Sequence, residues 1–175
     1  MSRLFATGLA LALALPGVAA AQSLDATLND IRDQIVAQGA VSWTANFSDS
    51  SNGQKWPEQL VAQITNVTPN AGACTLSYHW KQTINGQVML DRDAGVRLAL
   101  VTDVAVMSGE EDIRQQMAAQ HPTVSATTTP ASWVVQVTTR ENKVVFDLIN
   151  SDAADRLARA FAHAAQLCGG LTPAA

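Results

Sequence analysis

Residues 74–86 read CTLSYHWKQTING, and their parity decides the fold. Cys74, Leu76, Tyr78, Trp80 and Ile84 fall on one side of an extended chain, with Gln82 the exception. Thr75, Ser77, His79, Lys81 and Thr83 fall on the other. Successive side chains of a strand point to opposite faces, so the pattern predicts a half-buried strand with one apolar face. Asn85-Gly86 follows, and both residues tolerate the positive φ angles of a tight hairpin turn. Residues 87–90 are therefore predicted to return antiparallel.

The same period of two extends in both directions. Upstream, Val41, Trp43, Ala45 and Phe47 alternate with Ser42, Thr44, Asn46 and Ser48, a strand that ends in a turn at 50–53. Residues 60–67 form a weaker strand, rich in β-branched side chains but poorly alternating, and Thr68-Pro69-Asn70 closes it. Downstream, Asp91-Arg92-Asp93 is read as a turn. After it, Val96, Leu98, Leu100, Val104 and Val106 share one face of a strand long enough to bend as a barrel wall does. Residues 108–120 suit a short polar helix capped by Ser108, with Ile113 and Met117 as anchors, and 121–131 read as a Thr/Pro-rich loop. Trp133, Val135 and Val137 then pair with Val144, Phe146 and Leu148 around Arg140-Glu141-Asn142.

Helical periodicity brackets these strands. Leu24, Leu28, Ile31, Ile35 and Val36 make a stripe over 23–38, stopped by Gly39. Ala154, Leu157, Ala158, Phe161, Ala165 and Cys168 make a stronger one over 151–168. Ser151 is available as a cap, Asp152 and Asp155 sit in the first turn, and Gly169-Gly170 ends the helix. The fold class is thus α+β: a mainly antiparallel, strongly bent sheet or partly open barrel of about seven strands, capped by a C-terminal helix and preceded by a further helix.

The first twenty-one residues are of another kind. Arg3 precedes an apolar run broken only at Thr7 and Gly8, then Pro16-Gly17 and Ala19-Ala20-Ala21 before Gln22. This is the pattern of a secretory leader, bacterial in type, and is too short to span a membrane. The expectation is a single exported domain over 22–175, periplasmic or secreted, with 169–175 as a disordered tail. The formal charge of the chain is −4 and would fall to −5 without Arg3. Nothing basic is clustered. That argues against nucleic acid and anionic membrane surfaces as partners, and no second apolar run reaches the length of a membrane span.

Export bears on Cys74 and Cys168. Each falls on the apolar side of its own element, and an oxidising compartment favours a disulfide between them; two inert buried thiols are the alternative. The bridge requires the last helix to lie against the sheet face that carries Cys74.

No residue is assigned a catalytic, cofactor-binding or metal-binding role. His79, His121 and His163 are isolated, without the spacing of a zinc site. Asp91-x-Asp93-x-Gly95 opens like a calcium loop, but Val96 and Thr102 occupy the positions that need glycine and glutamate. There is no Gly-x-Ser-x-Gly elbow or glycine-rich phosphate loop. Glu110, Glu111 and Asp112 are read as solvated carboxylates. Trp43, Trp80 and Trp133 suit the core. Trp56, before Pro57 in what reads as a turn, is the candidate partner contact, with packing over the barrel end as its structural alternative.

From 41 to 168 the order of elements resembles the pleckstrin-homology-like barrel, which has seven strands and a capping C-terminal helix. The stretch Ala160-Phe161-x-His163-Ala164, ending Leu167-Cys168-Gly169-Gly170, is similar to the last helix of uncharacterised exported bacterial domains. A helix-grip fold, with a ligand cavity between helix and sheet, is the competing architecture. The functional expectation is a non-enzymatic binding or interaction module without a cofactor. The alternatives are a carrier of a small apolar ligand in a cavity under the C-terminal helix and a hydrolase with scattered residues.

Overall fold

The computed structural model of the chain describes residues 23–118 and 120–171; the expected leader and the last four residues of the expected tail lie outside them. The elements run α1 (Leu24–Gln38), β1 (Ala40–Asp49), β2 (Lys55–Asn70), β3 (Thr75–Ile84), β4 (Gln87–Arg97), a 3-10 turn (Leu98–Leu100), β5 (Val101–Ser108), α2 (Gly109–Met117), β6 (Val124–Thr129), β7 (Trp133–Thr139), β8 (Lys143–Leu148) and α3 (Ser151–Leu167). The α+β expectation holds. The sheet, however, does not close: eight strands form two antiparallel sheets, one of five in the order β4-β3-β2-β1-β6 and one of three in the order β5-β7-β8.

The hairpins form where the turn chemistry puts them. Asn85 and Gly86 take φ of 49° and 78° and join β3 to β4, with Ile84 opposite Gln87. Strand β2 alternates poorly because it bulges: its pairing with β3 slips between Thr65 and Thr68, and Asn66 sits at φ 53°. The extra residue lets Ile64 and Val67 both pack against the core. Leu98–Leu100 breaks the long expected strand in two. This turn carries the chain from the five-stranded sheet to the three-stranded one, with Leu98 fully buried and its N–H on the Cys74 carbonyl at 2.9 Å.

Several local readings are corrected. Asp91-Arg92-Asp93 is not a turn but mid-strand in β4, opposite Lys81, Trp80 and His79. The 121–131 segment contains β6, which pairs with β1 from Asp49↔Val124 to Thr44↔Thr129; its low hydrophobicity suits an edge strand. Trp56 lies in β2 opposite Phe47 rather than in a turn. Asn150, not Ser151, caps α3, its Oδ1 accepting from the Ala153 N–H at 3.1 Å. Val36 is 56% exposed, off the buried stripe of Thr27, Leu28, Ile31 and Ile35. Gly170 donates to the Ala165 carbonyl at 2.8 Å and Leu171 packs on the core, so the expected tail begins as ordered chain.

The main core lies among the two sheets, α1 and α3. Tyr78 of the larger sheet meets Phe146 of the smaller (ring centroids 5.5 Å apart), and Phe146 meets Phe161 of α3 (4.9 Å). Each such ring, fully buried, contributes on the order of 2–3 kcal/mol. Helix α3 rests on β5, β7 and α1, and a disulfide joins Cys168 at its C-terminus to Cys74, ahead of β3. The alanines of α3 permit close approach: Ala154, Ala164 and Ala165 are fully buried. A void of about 20 Å³, bordered by Leu157, is too small for a ligand.

Candidate functional site

The larger opening lies on the other side of the small sheet. In β1, alternation puts Trp43 on the same side as Val41; across the sheet, Trp43 opposes Leu60, Ala62 opposes Gln82, and Ile64 opposes Trp80. One face of the five-stranded sheet thus presents Trp43, Leu60, Trp80 and Gln82. In the small sheet, Val134 opposes Asp147 and Gln136 opposes Val145, so Val134, Gln136, Val145 and Asp147 share the face opposite to Phe146.

Helix α2 meets these surfaces. Ser108 caps it, accepting from the Glu111 N–H at 3.1 Å. Its first residue, Gly109, donates to the Ser132 carbonyl at 2.8 Å. A Cβ on Gly109 would clash with Ser132 Oγ, so a larger residue fits only if Ser132 shifts. The Glu110 carboxylate accepts from the Thr128 N–H at 3.1 Å and ties the helix to β6. So held, α2 brings Asp112, Ile113 and Gln116 to a cavity of about 200 Å³ that Trp43, Leu60, Trp80, Gln82, Val134, Val145 and Asp147 also border.

Two carboxylates meet at this cavity. Burial pushes the Asp147 carboxyl from its ordinary value near 3.8 up to about 7, and the charge of Asp112 adds to the effect. No hydrogen bond supports the Asp147 carboxylate. Asp112 is also raised, chiefly by burial, against the pull of Lys143 and of the Gln116 amide that donates to it at 2.7 Å. Among the described residues that border the cavity, none is basic. The indole N–H of Trp43 and the side-chain oxygen of Gln136 are buried without partners. Buried polar groups are ordinarily paired, and an unpaired one costs about 1–3 kcal/mol. The walls are thus largely apolar and aromatic, interrupted by Asp112, Asp147, Gln82 and Gln116.

Trp56, the residue singled out from sequence, is elsewhere. Its ring stacks on Phe47 at 5.2 Å and 12°, and its N–H reaches Glu58 Oε1 at 3.3 Å. It borders an open groove of about 370 Å³ with Asn46, Lys55 and Ser125. His79 lies on the outer parity of β3, between Asp93 (2.9 Å) and Asp91 (2.8 Å). The bond to Asp93 raises its pKa first, that to Asp91 adds to it, and desolvation opposes both. Among the described residues no group of three or more His, Cys, Asp or Glu is placed to hold a metal, and no helix is long and apolar enough to cross a membrane.

Sequence reasoning missed Asp147 and read Asp112 as solvated. The outward parity of Asp147, between Phe146 and Leu148, suggested exposure. A signal was nonetheless present: Val134 and Val145 share that parity, so this face is apolar too and needs a cover. The cover is α2, which carries Asp112 beside Ile113 on its inner side. No protein-family model, curated protein or solved structure compared with this chain matches it.

Proposed function

We propose that the chain is an exported, non-enzymatic binding protein that holds a small, partly apolar ligand in the cavity between its sheets. The observation that carries this reading is the cavity itself, where two tryptophans and aliphatic side chains stand beside Asp112 and an Asp147 carboxyl that no hydrogen bond supports. Ligand sites combine apolar walls with a few polar groups in this way. At about 200 Å³ the space falls below the roughly 300–1,000 Å³ of drug-sized sites, which favours a compact, single-ring ligand. The Cys74–Cys168 disulfide supports export, since such bonds persist in oxidising compartments. The order of a four-strand meander, a second sheet and a closing helix supports a pleckstrin-homology-like reading of the fold, with α2 and β6 as an insertion.

Titrating the disulfide-bonded protein with benzyl alcohol, indole and cyclohexanol tests the reading through tryptophan fluorescence, because Trp43 and Trp80 border the cavity. Saturable changes that vanish in Leu60→Trp, which fills the space, are expected. Absence of saturable binding by these compounds and by charged ligands of similar size, or binding indifferent to that substitution, refutes the reading. The paired carboxylates favour a second reading, a hydrolase in which protonated Asp147 acts as general acid. It requires turnover of an ester or glycoside that Asp147→Asn abolishes.

A further inference from the structure

The polar groups of the cavity are selective. Asp112 and Asp147 both border it, and the charges nearby are engaged elsewhere or stand outside. Lys81, on the opposite parity of β3 from Trp80, faces Asp91 at 3.8 Å. On α2, Arg114 pairs with Glu111. On β8, Lys143 is exposed at the start of the strand and acts on Asp112 from outside the lining. The strands β1, β2 and β7 bring no charged side chain to the cavity. A second, independent feature is Trp43: it is 6% exposed, borders the same space, and its indole N–H has no acceptor. Trp43 and Trp80 also offer aromatic faces, which attract a desolvated cation.

We infer that the ligand is a small organic amine, its ammonium group held by Asp147 and Asp112 and its apolar body against Trp43, Trp80 and Leu60. An amine supplies the positive charge that the lining lacks and returns the Asp147 carboxyl to its ionised form. This inference rests on the binding reading of the same cavity and names its ligand class.

Benzylamine, benzyl alcohol and benzoate differ in charge at nearly constant size, so calorimetric titration of the intact protein in amine-free buffer separates the ideas. Benzylamine is expected to bind at least tenfold more tightly than benzyl alcohol at pH 8, and benzoate not at all. Asp147→Asn, nearly isosteric, should erase the preference for the amine over the alcohol. A further measurement needs no variant: at pH 6, amine binding should release a proton, seen as a dependence of the heat on buffer ionisation enthalpy, and alcohol binding should not. Equal affinity for amine and alcohol, or a preference that survives Asp147→Asn, overturns the inference and leaves the binding reading standing. Failure of all three compounds and of the neutral ligands above to bind overturns both.

Discussion

Replacing Asp147 by Asn should change the pH dependence of stability in a calculable way. An unfolded aspartate titrates near 3.9, whereas burial carries folded Asp147 to about 7. The folded state therefore binds the proton more tightly than the unfolded state does. Wherever that is true, stability falls as pH rises. The contribution is fully present below about pH 4, declines between pH 4 and 7, and is gone above that window. Three pH units at 1.36 kcal/mol each set a ceiling of about 4 kcal/mol. Solvent in the cavity screens one side of the carboxylate, so a loss of about 2 kcal/mol is expected. Asp147→Asn has no proton to lose, and it should match the parent at pH 4 and exceed it by about 2 kcal/mol at pH 8. In urea this is a midpoint shift of about 1 M, and in a thermal scan about 4–8 °C. Unfolding of both proteins across pH 4–8, with the disulfide intact and in phosphate and acetate buffers, provides the test. Subtracting one curve from the other removes His79, whose raised pKa also makes stability fall at higher pH. A flat difference curve, or a variant weaker than the parent at pH 8, would refute the assignment of Asp147 as a half-buried, desolvated carboxylate without hydrogen-bond support.

Other perturbations probe the scaffold. The disulfide spans a sequence separation of 94, so reduction, or replacement of both cysteines by serine, should lower the urea-derived stability by roughly 2–4 kcal/mol; an unchanged midpoint would show that the bond constrains little. Gly109→Ala forces a methyl group against Ser132, which is 2% exposed. It should cost about 1–3 kcal/mol and weaken ligand binding by displacing α2, and Ser132→Ala should restore part of both. Trp56→Ala removes the stack on Phe47 and should destabilise by about 1–2 kcal/mol. An unchanged stability would show that the stack on Phe47 contributes little and would favour the docking role for Trp56.

Much of the architecture was legible because it depends on local periodicity and turn chemistry. Strands β1, β3, β7 and β8, helices α1 and α3, the Asn85-Gly86 hairpin and the Ser108 cap all follow from patterns within a dozen residues. The errors fall where a local signal met a distant partner. Asp91-Arg92-Asp93 looks like a turn, yet pairing with Lys81, Trp80 and His79 keeps it extended. Thr- and Ser-rich β6 lacks an apolar face of its own and is a strand because β1 offers it an edge. Trp56 has no neighbour in sequence to bury it, and Phe47 does so across the hairpin.

The sequence by itself determined the α+β class and the antiparallel order of the meander, since periodicity and turn residues act through near neighbours; Cys74 reaches Cys168 from a turn at φ 52°, ahead of β3, and not by strand parity. Tertiary structure alone decided that the chain divides into two sheets at Leu98–Leu100 and that a cavity opens beneath α2. It also decided which carboxylates matter. A carboxyl group's proton affinity depends on how much water and charge surround it, and for Asp147 those surroundings come from β1, β2, β3 and α2, elements far from it along the chain.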